Sequence, residues 1–152
     1  WPHVLAHLGR FGILLFTLQF TTEKSQMCPS GWQQLVGSCY SFSDERDNWE
    51  KANQTCLLKD SHLIVINSEE EQQEYFFKHV NKDYWLGLTD LSQEGQFEWV
   101  DGTPYNAAIT TWGYGQPDNT DNLEHCVHIS ALMEYYWNDH QCTVLMHWIC
   151  ER

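Results

Sequence analysis

Gln116-Pro117-Asp118-Asn119, Glu124-His125-Cys126 and Trp137-Asn138-Asp139 are three short runs in one stretch of chain, and the remaining residues are best understood by what they do for these. Gln116 and Asn138 carry amide oxygens, and Asp118, Glu124 and Asp139 carry carboxylates. All are hard oxygen donors, of the kind that calcium gathers in sets of about six to eight. The spacing is not that of an EF-hand loop, which alternates acidic residues around a central Gly and closes on Glu. A shared ion would therefore need the fold to bring two separated segments together. Taken alone, the same residues also describe an acidic surface loop beside a strand.

The cysteines narrow the choice. Cys28, Cys39, Cys56, Cys126, Cys142 and Cys150 are even in number and contain no C-x-x-C pair, which argues against a zinc ribbon or a thioredoxin-like redox site. Six cysteines in one domain read as three disulfides made in an oxidising compartment, and leave on the order of fifteen pairings open. The apolar run Phe11 to Phe20 follows Arg10 and precedes polar Thr21 to Gln26. Its length, about ten residues, suits a signal-peptide core and is about half of a membrane span. Residues 1–27 are accordingly expected to be a signal peptide, or the end of a membrane anchor, with a short linker. Residues 28–152 are expected to be one extracellular, secreted domain.

Composition agrees with a packed domain. The chain has 152 residues, 42% hydrophobic and 14% aromatic, with eight Trp, enough for a core of its own. The net charge of -13, from 8 basic and 21 acidic residues, excludes the phosphate backbone of nucleic acid as a natural partner. In chain order the pattern is α+β. Gln33 to Phe42 reads as a hairpin turning at Gly37. Asp44 to Leu58 reads as a helix, with Trp49, Ala52 and Cys56 on one face. A buried run, Leu63 to Ile66, precedes Ser68-Glu69-Glu70-Glu71, a capping signature for a second helix reaching about Val80 and burying Tyr75, Phe76 and His79. Tyr84 to Leu88, Gln96 to Val100, Cys126 to Ile129 and Thr143 to Cys150 read as strands. Asp101 to Leu123 has no period and reads as a long functional loop.

The six-cysteine spacing, Trp85-Leu86-Gly87-Leu88, Trp99-Val100-Asp101-Gly102, Gln116-Pro117-Asp118 and Trp137-Asn138-Asp139 occur together in an order that resembles the C-type lectin-like domain from Cys28 to Arg152. The resemblance implies two helices flanking small antiparallel sheets, a long calcium-binding loop, and disulfides Cys28–Cys39, Cys56–Cys150 and Cys126–Cys142. It implies a calcium ion held by Gln116, Asp118, Glu124, Asn138 and Asp139, with Pro117 as the family's cis-proline. It further implies that these five residues bind a sugar through two neighbouring hydroxyls placed on the ion. The order Gln-Pro-Asp goes in such relatives with galactose or N-acetylgalactosamine rather than mannose. Thr120 stands where the strongest galactose binders place a stacking Trp; Trp112, Tyr114, Tyr135 and Tyr136 are the candidate substitutes, with a framework role expected for Trp112 and Trp137. Asp90, Glu94 and Asn119, with Glu124, match an auxiliary calcium site in which His125 replaces an Asp.

Other chemistry is absent from the sequence. His125, His128, His140 and His147 form no H-E-x-x-H pattern, and strand alternation separates His125 from His128, against a shared zinc. His140, beside the ligands, is expected to weaken calcium binding when protonated. No nucleophile–base pairing appears, so the chain is not read as an enzyme. Asn53-Gln54-Thr55 is a glycosylation sequon, expected on the outer side of the first helix. The alternatives are an ice-binding protein, since type II antifreeze proteins share this fold, and the ectodomain of a type II membrane receptor. An oligomer is compatible with all of these readings.

Overall fold

The computed structural model describes residues 27–35, 37–69 and 81–152. The expected leader or anchor and nearly all of the second helix lie outside them. Within them the elements are β1 (Gln33–Leu35), β2 (Ser38–Phe42), α1 (Trp49–Leu57), β3 (His62–Leu63), β4 (Tyr84–Thr89), β5 (Glu98–Trp99), β6 (Cys126–Ser130), β7 (Tyr136–His140) and β8 (His147–Glu151). The strands run in the order β1-β2-β8-β4-β6-β7, with β3 added to β8 and β5 to β4. All pairings are antiparallel but one. Tyr84 and Trp85 of β4 lie parallel to His147 and Trp148 of β8, one parallel contact at the centre of otherwise antiparallel sheets.

β4 and β6 occupy that centre, and their composition explains it. Tyr84 to Leu88 are all buried, as are all five residues of β6. β4 is the continuous apolar run that a strand covered on both faces needs, whereas β6 also buries the polar His128 and Ser130. Gly87 sits where β4 passes closest to its neighbours. A Cβ there would lie 2.6 Å from Val100 Cγ2 and 2.7 Å from the Leu63 carbonyl oxygen. Gly87→Ala should therefore cost about 1–3 kcal/mol in a urea denaturation curve, by overpacking; an unchanged midpoint would show that the Val100 segment yields freely.

α1 starts later than its periodicity suggests. Asp47 exchanges backbone hydrogen bonds with Met146, each 3.0 Å, which draws the residues before Asn48 into an extended bridge. Asn48 then caps the helix, its Oδ1 accepting from the Lys51 N–H at 3.0 Å, a typical stabilising cap. The same bridge shortens the last strand: Thr143 to Met146 is not part of β8, which begins at His147. Trp49, Ala52 and Cys56 face inward as expected, and Trp49 Nε1 donates to the Leu86 carbonyl of β4 at 2.8 Å.

Three disulfides complete the frame, in the pairing the resemblance implies. Cys28–Cys39 joins the segment before β1 to β2 across 11 residues, Cys56–Cys150 joins α1 to β8 across 94, and Cys126–Cys142 joins the start of β6 to the turn after β7 across 16. The irregular segment before β6 is tied down independently. Trp137 N–H donates to Thr111 at 2.7 Å and Gly113 N–H to Trp137 at 2.8 Å. Trp137 is buried edge-on against Trp99 and Trp112. That stack is the framework role expected of Trp112 and Trp137, and it delivers residues 114–119 to the end of β7. No helix among the described residues is long and apolar enough to cross a membrane.

Candidate metal centre

β6 and β7 form the floor of the site. Their register sets Val127 opposite Asp139 and His128 opposite Asn138, which sends Asp139 inward while Asn138 stands beside His128. Asp139 is 1% exposed. Its two carboxylate oxygens accept the backbone N–H groups of Asp118, at 3.1 Å, and Asn119, at 2.8 Å. The Gln116–Pro117 peptide bond immediately before is cis. The loop then turns sharply, with Asn119, Asp121 and Asn122 at φ of 44°, 58° and 56°. Asn and Asp tolerate that left-handed region better than other residues with a Cβ. Loop and strand are thus clasped by one buried carboxylate.

Asp118, Glu124 and Asp139 each present an oxygen within 4.8 Å of the others. Three like charges so close oppose one another. Burial pushes the Glu124 carboxyl up to about 7, with Asp118 and Asp139 adding to the rise. Asp118, by contrast, is held below the usual carboxylate range by hydrogen bonds, chiefly from the Thr120 hydroxyl at 2.9 Å. The two amides have different neighbours. Gln116 Nε2 donates to Asp118 at 3.3 Å, and Asn138 Nδ2 faces His128 Nε2 at 3.2 Å. Their oxygens, Gln116 Oε1 and Asn138 Oδ1, are buried with no hydrogen-bond partner among the described residues. Buried polar atoms are nearly always satisfied. Three crowded carboxylates, the Gln116 amide bonded to one of them, and the Asn138 amide on the strand that carries Asp139 form a donor set that fits a hard cation.

The second cluster differs. Asp90 is buried, and its Oδ2 accepts the Gly95 N–H at 2.8 Å. His125 Nδ1 lies 3.0 Å from Asp90 and 3.1 Å from Glu94. Asn119 Nδ2 donates to Glu94 at 2.6 Å, and Asn119 Oδ1 accepts the Glu124 N–H at 3.1 Å. These residues come together as the sequence suggests, and they satisfy one another.

The remaining candidates are placed as follows. Tyr114 and Tyr136 are exposed, whereas Trp112 and Tyr135 are half-buried. Trp112, Tyr114 and Tyr136, with Leu132 and Met133, line a groove of about 490 Å³. Thr120, which the sequence marks as a missing aromatic and as the threonine that favours the ice-binding alternative, donates its hydroxyl to Asp118. His140 Nδ1 accepts the Gln141 N–H at 2.8 Å and stands 3.8 Å from Glu124. His128 is the residue that sequence reasoning misses: it enters there only as a zinc candidate. The usable signal was a β6–β7 hairpin register that pairs it with Asn138. Asn53 is half-buried rather than on the outer side of α1, and its Oδ1 is buried without a partner, because it flanks Ala52 on the core-facing side.

This arrangement has close counterparts. The chain is 38% identical to asialoglycoprotein receptor 2 of Mus musculus over 160 aligned residues, 98% of this chain and 52% of that protein. It spans about half the length of that relative. Among solved structures, the carbohydrate-recognition domain of the mouse scavenger receptor C-type lectin is 41% identical with a TM-score of 0.73, covering 82% of this chain and 95% of that one. A calcium-independent type II antifreeze protein is 28% identical with a TM-score of 0.75, covering 83% of this chain and 94% of that one. Residues 45–152 match the lectin C-type domain family. With its three disulfides, its central strands and its oxygen-lined loop, the chain belongs to the C-type lectin domain family.

Proposed function

We propose that residues 28–152 bind calcium through Gln116, Asp118, Glu124, Asn138 and Asp139, and recognise a galactose-type glycan at the same site. The carrying observation is three carboxylates within 4.8 Å of one another, joined by two buried amide oxygens, Gln116 Oε1 and Asn138 Oδ1, that have no partner among the described residues. Bound there, calcium would neutralise the carboxylates and leave coordination positions that two sugar hydroxyls can take. Glu124 and Asn138 offer the sugar a carboxylate and an amide, as Gln116 and Asp118 do on the facing side. Binding of this kind makes and breaks no covalent bond, consistent with relatives that are lectins rather than enzymes.

Galactose over mannose rests on the Gln-Pro-Asp order, and the likeness to asialoglycoprotein receptor 2 is in keeping with it. Tyr114 and Tyr136, exposed within two residues of Gln116 and Asn138, supply aromatic surface for the apolar face of the ring in place of a Trp at Thr120. The second cluster is read as closed by His125, which already occupies Asp90 and Glu94. Three disulfides and the receptor relatives favour an extracellular domain, secreted or carried on a membrane receptor. The deciding experiment is elution from galactose and mannose columns by free sugar and by chelator. Retention on galactose, released by both, is expected; release from mannose alone overturns the specificity. Ice-recrystallisation inhibition with no sugar retention would turn the reading to ice binding, for which the antifreeze neighbour speaks. The exposed Thr120 hydroxyl, however, is already donated to Asp118.

The site also carries a pH signature. Glu124 is held up at about 7, so below that pH an incoming ion must displace its proton. Calcium affinity should fall by up to about tenfold per pH unit below 7 for one displaced proton, and it should level off above. Calorimetric titrations at a series of pH values check this, and Glu124→Gln should flatten the slope while weakening binding throughout. A slope that survives Glu124→Gln assigns the effect to His140 instead.

A further inference from the structure

His128 and Asn138 face each other directly across the β6–β7 ladder. The imidazole is 3% exposed, set edge-on to Trp85 with ring centroids 5.9 Å apart and flanked by the His140 ring at 5.6 Å. Its Nδ1 lies 3.2 Å from the Ile129 carbonyl oxygen, and its Nε2 lies 3.2 Å from Asn138 Nδ2. Counting protons assigns the roles. A carbonyl oxygen can only accept, so Nδ1 carries the ring proton. A neutral imidazole has one N–H, so Nε2 keeps its lone pair and accepts from the Asn138 amide nitrogen. The other end of that amide, Oδ1, is then left buried with no partner among the described residues.

We infer that His128 is a positioning residue: the Ile129 carbonyl selects its Nδ1–H tautomer, and that tautomer holds the Asn138 NH2 on the side of His128, which leaves Oδ1, the end of the amide that can ligate a cation, pointing away from the ring. The inference rests on the calcium reading above and names the group that orients one of its ligands. An amide turned the other way would aim two N–H dipoles at the cation.

Two measurements test it. In the calcium-free full chain at neutral pH, long-range nitrogen–proton NMR of the His128 ring should show a protonated Nδ1 and a bare Nε2. A proton on Nε2 overturns the inference without any variant having to fold. In calcium titrations, His128→Leu should bind about 10–100-fold more weakly, the range usual for losing a group that orients a metal ligand. His128→Gln, which keeps an acceptor oxygen, should recover most of that loss. Undiminished affinity in His128→Leu, or an equal loss in both variants, overturns the orienting role and leaves the calcium site intact. Failure of the native chain to take up calcium overturns the calcium reading itself, and with it the purpose assigned to His128.

Discussion

Asp139→Ala is expected to abolish calcium uptake and also to destabilise the domain when no calcium is present. The second effect separates it from the other ligands. Asp139 is 1% exposed, and both of its oxygens are used by backbone N–H groups of the loop, from Asp118 at 3.1 Å and Asn119 at 2.8 Å. Hydrogen bonds to a charged group contribute about 1.5–3 kcal/mol each, and removing the acceptor strands two N–H groups at the base of the loop. A loss of about 3 kcal/mol or more in chelator follows. Asp118→Ala is the control. Its carboxylate is exposed and is met by the Thr120 and Gln116 side chains, the Thr120 backbone N–H and the Glu124 carboxyl, with no backbone N–H from the base of the loop, so it should lose calcium affinity with little loss of stability. Urea denaturation in chelator, alongside calcium titration, measures both quantities on both variants. If Asp139→Ala denatures at the native midpoint in chelator, the clasp between β7 and the loop does not exist as described.

The features that were legible in the sequence are those that depend on composition within a short window or on fixed spacing. The five proposed oxygen ligands draw attention in the sequence because each is a polar residue near a landmark: Pro117, Cys126 or Trp137. The interior of β4 could be read because Trp85 to Leu88 is too uniformly apolar to be a surface strand. What escaped depends on contacts between distant residues. The helix start at Trp49 rather than Asp44 is decided by Met146, almost a hundred positions away. The parallel contact of β4 with β8 has no local signature. Tyr136 to His140 alternates exposed and buried positions as a strand should, yet its Asn and Asp are poor strand formers. It draws attention for its oxygens and conceals its pairing, and with that pairing goes the role of His128. Thr120 shows the same thing in reverse: its hydroxyl explains the acidity of Asp118, which no comparison of residue types would supply.

The disulfides should separate stability from binding. Replacing Cys56 and Cys150 together by Ser opens a loop of 94 residues, for which the chain-entropy model gives about 4–5 kcal/mol. The bridge is buried in the second core cluster with Trp49, Trp85 and Trp148, so the variant loses packing as well and should be largely unfolded at 37 °C. Replacing Cys126 and Cys142 closes a shorter account, 16 residues and about 3 kcal/mol, but it lies at the site. Five paired positions still hold β6 against β7, so Asn138 and Asp139 stay in place. Glu124 is different, because it lies just beyond the last strand-to-strand contact, the His125 N–H to His140 carbonyl bond at 3.1 Å. Without the bridge that end frays, and the carboxylate must be ordered when the ion arrives. The Cys126→Ser/Cys142→Ser protein should therefore fold, melt at a lower temperature and bind calcium about tenfold more weakly, in the range of a lost supporting contact. The folded fraction of the Cys56→Ser/Cys150→Ser protein, recovered at low temperature, should bind calcium with native affinity. Equal losses of affinity in the two proteins would mean that Glu124 is held by the fold as a whole and not by the bridge beside it.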